Sequence, residues 1–194
     1  MLDTLDTKEK QTYLDDLVRK TIDCKSSQIQ TEKTDINLEN DKKAFQYLLE
    51  NNESLTQEKI IQIGNLVNDS SPYISRGYRK IGKYLADTQI TIPEASKIPA
   101  ELEKILGEYQ KQEMLESNPF EQEAKFHIGF IRTHPFEDGN KRTARLILNT
   151  NLLHKNIAPV VITEDLLEYY YSYIENNDIE GMANLFKIQS KKQE

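Results

Sequence analysis

The chain has 194 residues and a formal net charge of −7 at neutral pH, because 32 acidic residues outnumber 25 lysines and arginines. This acidic balance argues against a surface built to follow a nucleic-acid backbone. No stretch has the length and apolarity of a membrane span or a secretory signal, and the single cysteine, Cys24, excludes an internal disulfide. We therefore expect a cytoplasmic protein that forms one domain over residues 1–194.

Three helices are predicted in the first third of the chain. Apolar residues spaced three and four apart predict a first helix over Thr7–Cys24. Asn40 or Asp41 is a suitable cap for a second helix, which ends near Glu50. Ser54–Gln57 has the form of a capping box and predicts the start of a third helix.

The middle of the chain contains the one stretch with the period of a strand. Ile90 and Ile92 alternate with polar residues, so residues 80–92 are predicted to form a small hairpin. Apolar spacing predicts five further helices: Ala100–Met114, Glu121–Arg132, Leu146–Leu153, Asp165–Asn176 and Glu180–Phe186. The fold class is therefore predicted to be all-α with one small β-hairpin, followed by a frayed tail over residues 187–194.

Twelve consecutive residues, 134–145, combine a titratable base, a carboxylate, a glycine and three cations directly before an apolar helix. Gly139 allows a tight turn, after which successive backbone N–H groups can form a concavity for an anion. Arg142 and Arg145 share a helical face, and each guanidinium can contact phosphate oxygens at two points. The stretch therefore predicts a phosphate site at a helix N-terminus.

Other residues of this stretch suit chemistry on a nucleotide. Asp138 is a hard oxygen ligand, and Mg²⁺ is commonly held by one carboxylate together with substrate phosphates. His134 has an ordinary pKa of about 6.5, which suits a general base near neutral pH. Phe136 is the one large apolar residue of the loop and is predicted to anchor it in the core. His127, on the apolar stripe of the preceding helix, is predicted to be a core residue instead of a catalytic one.

The pattern His134-Pro-Phe-x-Asp138-Gly139-Asn140-x-Arg142-x-x-Arg145 resembles the signature of the Fic family. Members of that family mostly transfer AMP from ATP to a hydroxyl of a target protein. The resemblance implies that His134 takes the proton of that hydroxyl and that Asp138 holds Mg²⁺ on the phosphates. It implies nucleotide and phosphate binding by six further residues of the motif: Phe136, Gly139, Asn140, Lys141, Arg142 and Arg145.

Lys141 departs from this pattern, since the commonest AMP-transferring members have glycine there. A lysine is similar to the Doc branch, for which the resemblance implies phosphate transfer from an inverted ATP. The Doc pattern usually lacks the second arginine, which is present here as Arg145, so AMP transfer is the leading expectation. Two alternatives stay open: a Doc-like protein phosphotransferase, and an interaction or toxin module that binds nucleotide weakly.

An N-terminal stretch resembles the inhibitory motif of many Fic proteins, Ser-x-x-x-Glu, whose glutamate pairs with the second arginine of the site. Ser26-x-x-x-Gln30 is similar in placement, and it implies an inhibitory-type region over residues 1–40 ahead of a core over residues 41–186. Gln30 replaces the glutamate, and a neutral amide cannot form a charged fork with Arg145. We therefore expect weak autoinhibition.

The predicted hairpin resembles the Fic flap, which docks a target segment by adding a strand to its edge. Gly77-Tyr-Arg precedes it, and the residues expected to meet the target are Ile81, Ile90 and Ile92. The expected partners are thus ATP and a target protein with an acceptor hydroxyl, and neither a membrane nor a nucleic acid. The oligomeric state is left open.

Overall fold

The computed structural model describes residues 7–22, 31–71, 74–83, 90–115 and 117–193. These residues form eight α-helices and no strand. The helices are α1 (Thr7–Ile22), α2 (Thr31–Glu50), α3 (Gln57–Val67), α4 (Ile98–Met114), α5 (Pro119–Thr133), α6 (Asn140–His154), α7 (Leu167–Asn176) and α8 (Ile179–Lys191). Single turns of 3₁₀ helix, Ala95–Lys97 and Glu164–Leu166, lead into α4 and α7.

Two central helices, α5 and α6, organise the others. α5 packs against α4, α6, α7 and α8, and α6 packs against α1, α2, α3 and α5. Both are buried on most of their circumference, and the buried faces include polar residues such as Gln122, Glu123 and Asn149. The stretch 134–139 connects these two helices, so both ends of the predicted phosphate loop are held by helices that are packed in the core.

The start of α2 differs from the sequence prediction. The helix begins at Thr31, so Asn40 and Asp41 are buried inside it and do not cap it. The prediction failed because both side chains have tertiary partners: the Asn40 amide donates to the Val67 carbonyl, and Asp41 pairs with Arg142. Similarly, Thr56 caps α3 by accepting from the Lys59 N–H, so the predicted cap at Ser54 was wrong.

The C-terminal region is more ordered than predicted. α8 continues to Lys191, and Gln189 and Ser190 are buried, so the tail predicted to be frayed from residue 187 is helical. The Ser190 hydroxyl donates to the Ala158 carbonyl at 2.6 Å and fixes the end of the helix. The core position of His127 is confirmed, with its Nε2 at 2.7 Å from the Tyr170 hydroxyl.

The predicted hairpin falls partly outside the described residues. Residues 80–83 and 90–92 are described and have no strand, whereas residues 84–89 lie outside the described part of the chain. The helical class is therefore confirmed, and the hairpin stays a prediction. None of the described helices combines the length and apolarity needed to cross a bilayer.

Candidate active site

Phe136 anchors the loop between α5 and α6, as predicted. Its side chain is 2% exposed, and its ring centroid lies 6.1 Å from those of Tyr78 and Phe130. Gly64 on α3 faces the ring so closely that a Cβ there would lie 2.3 Å from the Phe136 Cζ. The middle of the loop is therefore fixed to the core through a contact that only a glycine permits.

Asn140 closes the loop on itself. Its Oδ1 accepts from the Phe136 N–H, and its Nδ2 donates to the Phe136 carbonyl, both at 2.9 Å. The amide is buried and acts as a short brace across four residues. Because these bonds occupy the side chain, Asn140 positions the loop, and its direct contact with phosphate stays a prediction.

His134 ends α5 in a left-handed backbone conformation, with φ 49° and ψ 58°. Its N–H donates to the Phe130 carbonyl at 3.0 Å. Burial and the nearby charges of Lys83, Arg79 and Lys141 lower the pKa of its imidazole to about 4, although the Asp138 carboxylate raises it. The ring is therefore neutral at pH 7, the form in which it can accept a proton.

A second segment, residues 75–83, holds the first half of the loop from outside. The Ser75 hydroxyl and N–H both donate to the Glu137 carboxylate, at 2.8 and 3.2 Å. Lys83 donates to the Glu137 carbonyl. Arg79 donates through its backbone N–H to the Pro135 carbonyl and through Nε to the His134 carbonyl, both at 2.8 Å. The backbone next to the imidazole is thus tied to the chain that leads into the predicted flap.

Gly139 gives the N-terminus of α6 its close approach to α3. Its φ is 77°, and a Cβ would lie 2.7 Å from Cγ1 of Val67, so another residue would be both strained and obstructed. Gly139 has no side chain with which to cap α6. The first-turn N–H groups of the helix therefore stay available to an anion.

Arg142 projects from the first turn of α6 and is held by α2 and α3. Its Nη1 donates to Asn37 Oδ1 at 3.1 Å, and to Asp41 Oδ1 and the Val67 carbonyl at 3.2 Å each. Its Nη2 lies 3.9 Å from the Asp138 carboxylate. One edge of the guanidinium is therefore fixed, which orients the other edge.

Arg145 lies one turn further along α6 and is 6% exposed, and its Nε has no hydrogen-bond partner among the described residues. The buried Asp41 faces both arginines, and its Oδ2 likewise has no hydrogen-bond partner within the described part of the chain. Burial raises the pKa of Asp41 to about 6, while the charges of Arg142 and Arg145 act in the opposite direction. A carboxylate of α2 thus balances the two guanidiniums.

Asp138 and Lys141 are the more open residues of the site. The Asp138 side chain is 68% exposed, and its Oδ1 accepts from the Gly139 N–H at 2.6 Å. Lys141 Nζ lies 3.2 Å from the Tyr171 hydroxyl and 4.8 Å from the centre of that ring. The described residues contain no cluster of three or more acidic, His or Cys side chains that would form a metal cage by itself.

A family model described as "Fic/DOC family" matches residues 54–152, just over half of the chain. The chain belongs to the Fic/DOC family. The matched region runs from the approach to α3 through most of α6, and it includes the whole motif from His134 to Arg145. The residues that carry the sequence resemblance therefore lie within the part of the chain that defines the family.

Fic proteins of several sources are similar to this chain. Protein adenylyltransferase Fic of Nematostella vectensis is 32% identical over 134 residues, which cover 66% of this chain but only 30% of that protein. A Fic-domain signalling protein from Bacteroides thetaiotaomicron has a TM-score of 0.75 at 17% identity, covering 98% of this chain and 84% of that one. IbpAFic2, in a complex with adenylylated Cdc42, has a TM-score of 0.70 at 16% identity, covering 93% and 64%. The structural likenesses show the Fic fold.

The residues expected to dock a target lie on both sides of the undescribed residues 84–89. Ile81 is 69% exposed, whereas Ile90 and Ile92 are half-buried. Residues 91–93 also line a groove of about 730 Å³ between α4 and α5, which includes Thr133 but no residue of the motif. Ser26 and Gln30, the predicted inhibitory positions, lie outside the described residues.

Sequence reasoning missed three residues that hold this Fic site. Asn37 and Asp41 are four apart, so they share a face of α2, and a helix begun at Thr31 would have revealed that face. Asp41 was instead interpreted as a cap. Arg79 was noted only as part of the approach to the flap, and no local signal in the sequence indicates that it reaches His134.

Proposed function

We propose that this chain is a protein adenylyltransferase, which transfers AMP from ATP to a Ser, Thr or Tyr hydroxyl of a target protein. One observation carries the proposal: a neutral imidazole and two guanidiniums stand at opposite ends of one anchored loop, with an uncapped helix N-terminus between them. The names of curated relatives, such as the Nematostella protein adenylyltransferase, support it.

His134 is the general base in this proposal. Its neutral ring accepts the proton of the target hydroxyl, whose oxygen attacks the α-phosphorus of ATP. The new bond joins that oxygen to phosphorus, the bond to the bridging oxygen of the β-phosphate breaks, and pyrophosphate leaves. The pKa near 4 describes the chain without ATP, and the negative charge of bound phosphates would raise it toward neutrality.

The opposite end of the loop binds the phosphates. The first-turn N–H groups of α6 and the two guanidiniums place partial and full positive charge where the departing pyrophosphate becomes more negative. Arg142 and Arg145 clamp the β- and γ-phosphates, and Gly139 allows the backbone to approach them. Catalysis then depends on positioning and charge stabilisation, as is usual in phosphoryl transfer.

Asp138 is the residue that would hold Mg²⁺. It is an exposed carboxylate beside the phosphate loop, and the other ligands would come from the nucleotide and water, which is the common arrangement for Mg²⁺ with nucleotides. When bound, Mg²⁺ would neutralise charge on the phosphates.

Ile81, Ile90 and Ile92 belong to the surface that we propose receives the target, by strand addition to a flap hairpin. IbpAFic2, which shares the fold, has been captured with adenylylated Cdc42 and so acts on a protein. We further propose a cytoplasmic setting, which the single cysteine supports, and weak autoinhibition through Ser26 and Gln30. The substitution Gln30→Glu should then lower the transfer rate, and an unchanged rate would exclude that role.

ATP labelled at the α- or the γ-phosphate tests the reaction directly. The purified chain is incubated with Mg²⁺ and a cell lysate, beside His134→Ala and a matched control, His154→Ala, which changes a histidine at the far end of α6. We expect α-label on lysate protein with the wild type and the control, and none with His134→Ala. Absence of both labels would contradict the proposal, and ATP-binding calorimetry would then separate a binding module from an inactive fold.

Transfer of γ-label alone would favour the alternative, a Doc-like phosphotransferase. Lys141 is the observation behind it, since it occupies the position where the commonest AMP-transferring pattern has glycine. The contact of Lys141 with Tyr171 directs its ammonium toward α7, and the buried Arg145 keeps a second guanidinium in the site. Both observations favour transfer of AMP over transfer of phosphate.

A further inference from the structure

Arg79 is one of the largest fully buried side chains among the described residues, and its side chain reaches three segments of backbone. Its Nε donates to the His134 carbonyl at 2.8 Å, its Nη1 to the Ile81 carbonyl at 3.0 Å, and its Nη2 to the Pro93 carbonyl. Its own N–H donates to the Pro135 carbonyl. One guanidinium therefore joins the imidazole-bearing turn to the chain on both sides of residues 84–89.

The charge of Arg79 has no acidic partner within the part of the chain that the structure describes. Its acceptors are all carbonyls, and burial lowers its pKa, although an arginine still stays charged at neutral pH. Burying a guanidinium is costly unless its N–H groups are satisfied, and here carbonyls of three residues accept from it. The charge acts on His134, together with those of Lys83, Lys141 and Asp138.

The geometry of the bonds requires an arginine. A guanidinium offers five N–H donors in a rigid plane, so it can serve three carbonyls in different directions at once. A lysine offers the same charge from one flexible point and cannot span the three acceptors. The planar set of N–H donors, called the fork below, can therefore be removed by substitution while the charge is kept.

We propose that Arg79 is a positioning residue, which fixes residues 79–83 and 90–95, on both sides of the undescribed stretch, relative to His134. The inference rests on the proposed function, because a docked hydroxyl must lie within hydrogen-bond distance of the base. The N–H donors of the Arg79 guanidinium set the distance between the turn that carries His134 and the chain at Ile81 and Pro93. The charge of Arg79 opposes protonation of the His134 ring. Misplacement of a docked group by about 1 Å is enough to slow a reaction of this kind about a hundredfold.

Two substitutions separate the fork from the charge. Arg79→Lys keeps the charge and loses the fork, whereas Arg79→Met loses both. Arg76→Lys and Arg76→Met are the matched controls, since Arg76 lies three residues away, is exposed, and donates to Asp69 at 2.9 Å. A melting curve for each variant establishes that the fold is intact.

Hydrogen exchange and NMR test the positioning without any assay of activity. In Arg79→Lys we expect amide exchange at residues 79–83 and 90–95 to become about tenfold faster, and in Arg76→Lys to stay within about twofold. In Arg79→Met the pKa of the His134 ring should rise, while in Arg79→Lys it should stay unchanged; His134→Ala assigns the signal. Unchanged exchange in Arg79→Lys, or an unchanged pKa in a folded Arg79→Met, would overturn the inference.

A partition measurement then connects the positioning to the reaction. Transfer of α-label to lysate protein depends on docking, whereas release of AMP to water does not. We expect Arg79→Lys to lower transfer about tenfold or more and to change hydrolysis by less than about threefold. An equal loss of both would contradict the role. If the wild type transfers no AMP, the proposed function fails, while the exchange and NMR results still decide whether Arg79 positions the two segments.

Discussion

The two ends of the loop between α5 and α6 are held by side chains of opposite charge. At the His134 end, a buried cation, Arg79, donates only to backbone carbonyls. At the arginine end, a buried anion, Asp41, accepts from Arg142 and faces Arg145. The same short loop therefore lies between a cation and an anion that come from separate parts of the chain.

Each of these charges affects the charge state or the stability of the group beside it: Arg79 acts on the His134 ring, and Asp41 acts on the two guanidiniums. A cation near an imidazole disfavours its protonation, so the His134 ring stays neutral. An anion near two buried guanidiniums offsets their desolvation and their mutual repulsion while no phosphate is bound. The comparison teaches that the chemistry of the motif depends on residues about 55 and 100 positions away in sequence, as well as on the motif itself.

The largest expected effect comes from removing the base. His134→Ala should lower AMP transfer by about 10²–10⁴-fold, because proton transfer by a positioned side chain contributes that much to a rate. ATP affinity should stay within about threefold, since the phosphate end of the loop is untouched. Label transfer and calorimetry measure the two quantities, and a loss of binding as large as the loss of rate would show that the two ends are not separable.

Disturbing the contact between Gly64 and Phe136, which anchors the loop between its two ends, is expected to give the next largest effect. Gly64→Ala puts a Cβ against the Phe136 ring, and overpacking of this kind lowers the free energy of unfolding by about 1–3 kcal/mol. Urea denaturation measures the change. The matched control is Gly107→Ala in α4, where a Cβ meets nothing and the helix should gain up to about 1 kcal/mol. Equal changes in the free energy of unfolding for Gly64→Ala and Gly107→Ala would contradict the role of Phe136 as an anchor.

A smaller, local effect is expected at the arginine end. Arg142→Lys keeps the charge but cannot contact three acceptors and a phosphate together, so the KM for ATP should rise about tenfold. The acid limb of the pH–rate profile, set by His134, should not move. Arg132→Lys, which removes contacts to the Ile174 and Glu175 carbonyls away from the site, is the control. A tenfold rise in the KM for ATP in Arg132→Lys would indicate general destabilisation.

The smallest expected effect comes from the balancing anion. Asp41→Asn keeps an acceptor for Arg142 but removes a negative charge that repels incoming phosphates, so the KM for ATP should fall about two- to fivefold. Asp16→Asn, on the exposed face of α1, should leave it unchanged. Initial rates over a range of ATP concentrations measure the change. A rise in KM would mean that the carboxylate mainly orients Arg142.

Local chemistry in the sequence predicted how the loop between α5 and α6 is anchored. The buried anchor at Phe136, the core position of His127 and the central helix after the loop are all confirmed, because each follows from residue type and spacing. The family resemblance, carried by the same residues, is confirmed by the match over residues 54–152. The role of each site residue stays a prediction, as does the inhibitory position at Gln30.

What the sequence could not predict depends on distant contacts. Asp41 has the character of a helix cap when only its neighbours are considered, and its pairing with Arg142 spans 101 positions. The end of α8 was predicted to be frayed because the last residues of a domain are commonly poorly ordered, whereas the fold buries Gln189 and Ser190. Whether such polar residues are buried depends on the tertiary fold, and the local propensities of the sequence do not encode it.

The left-handed backbone conformation at His134 means that the residue best for stability and the residue proposed for activity differ at this position. A side chain at φ 49° carries a conformational cost that glycine would not. Substitution by glycine should therefore help the folded chain and remove the base. A library of variants selected only for resistance to heat should therefore replace His134 by glycine early. Enrichment of glycine at position 134 would show that the proposed base is kept at a cost in stability.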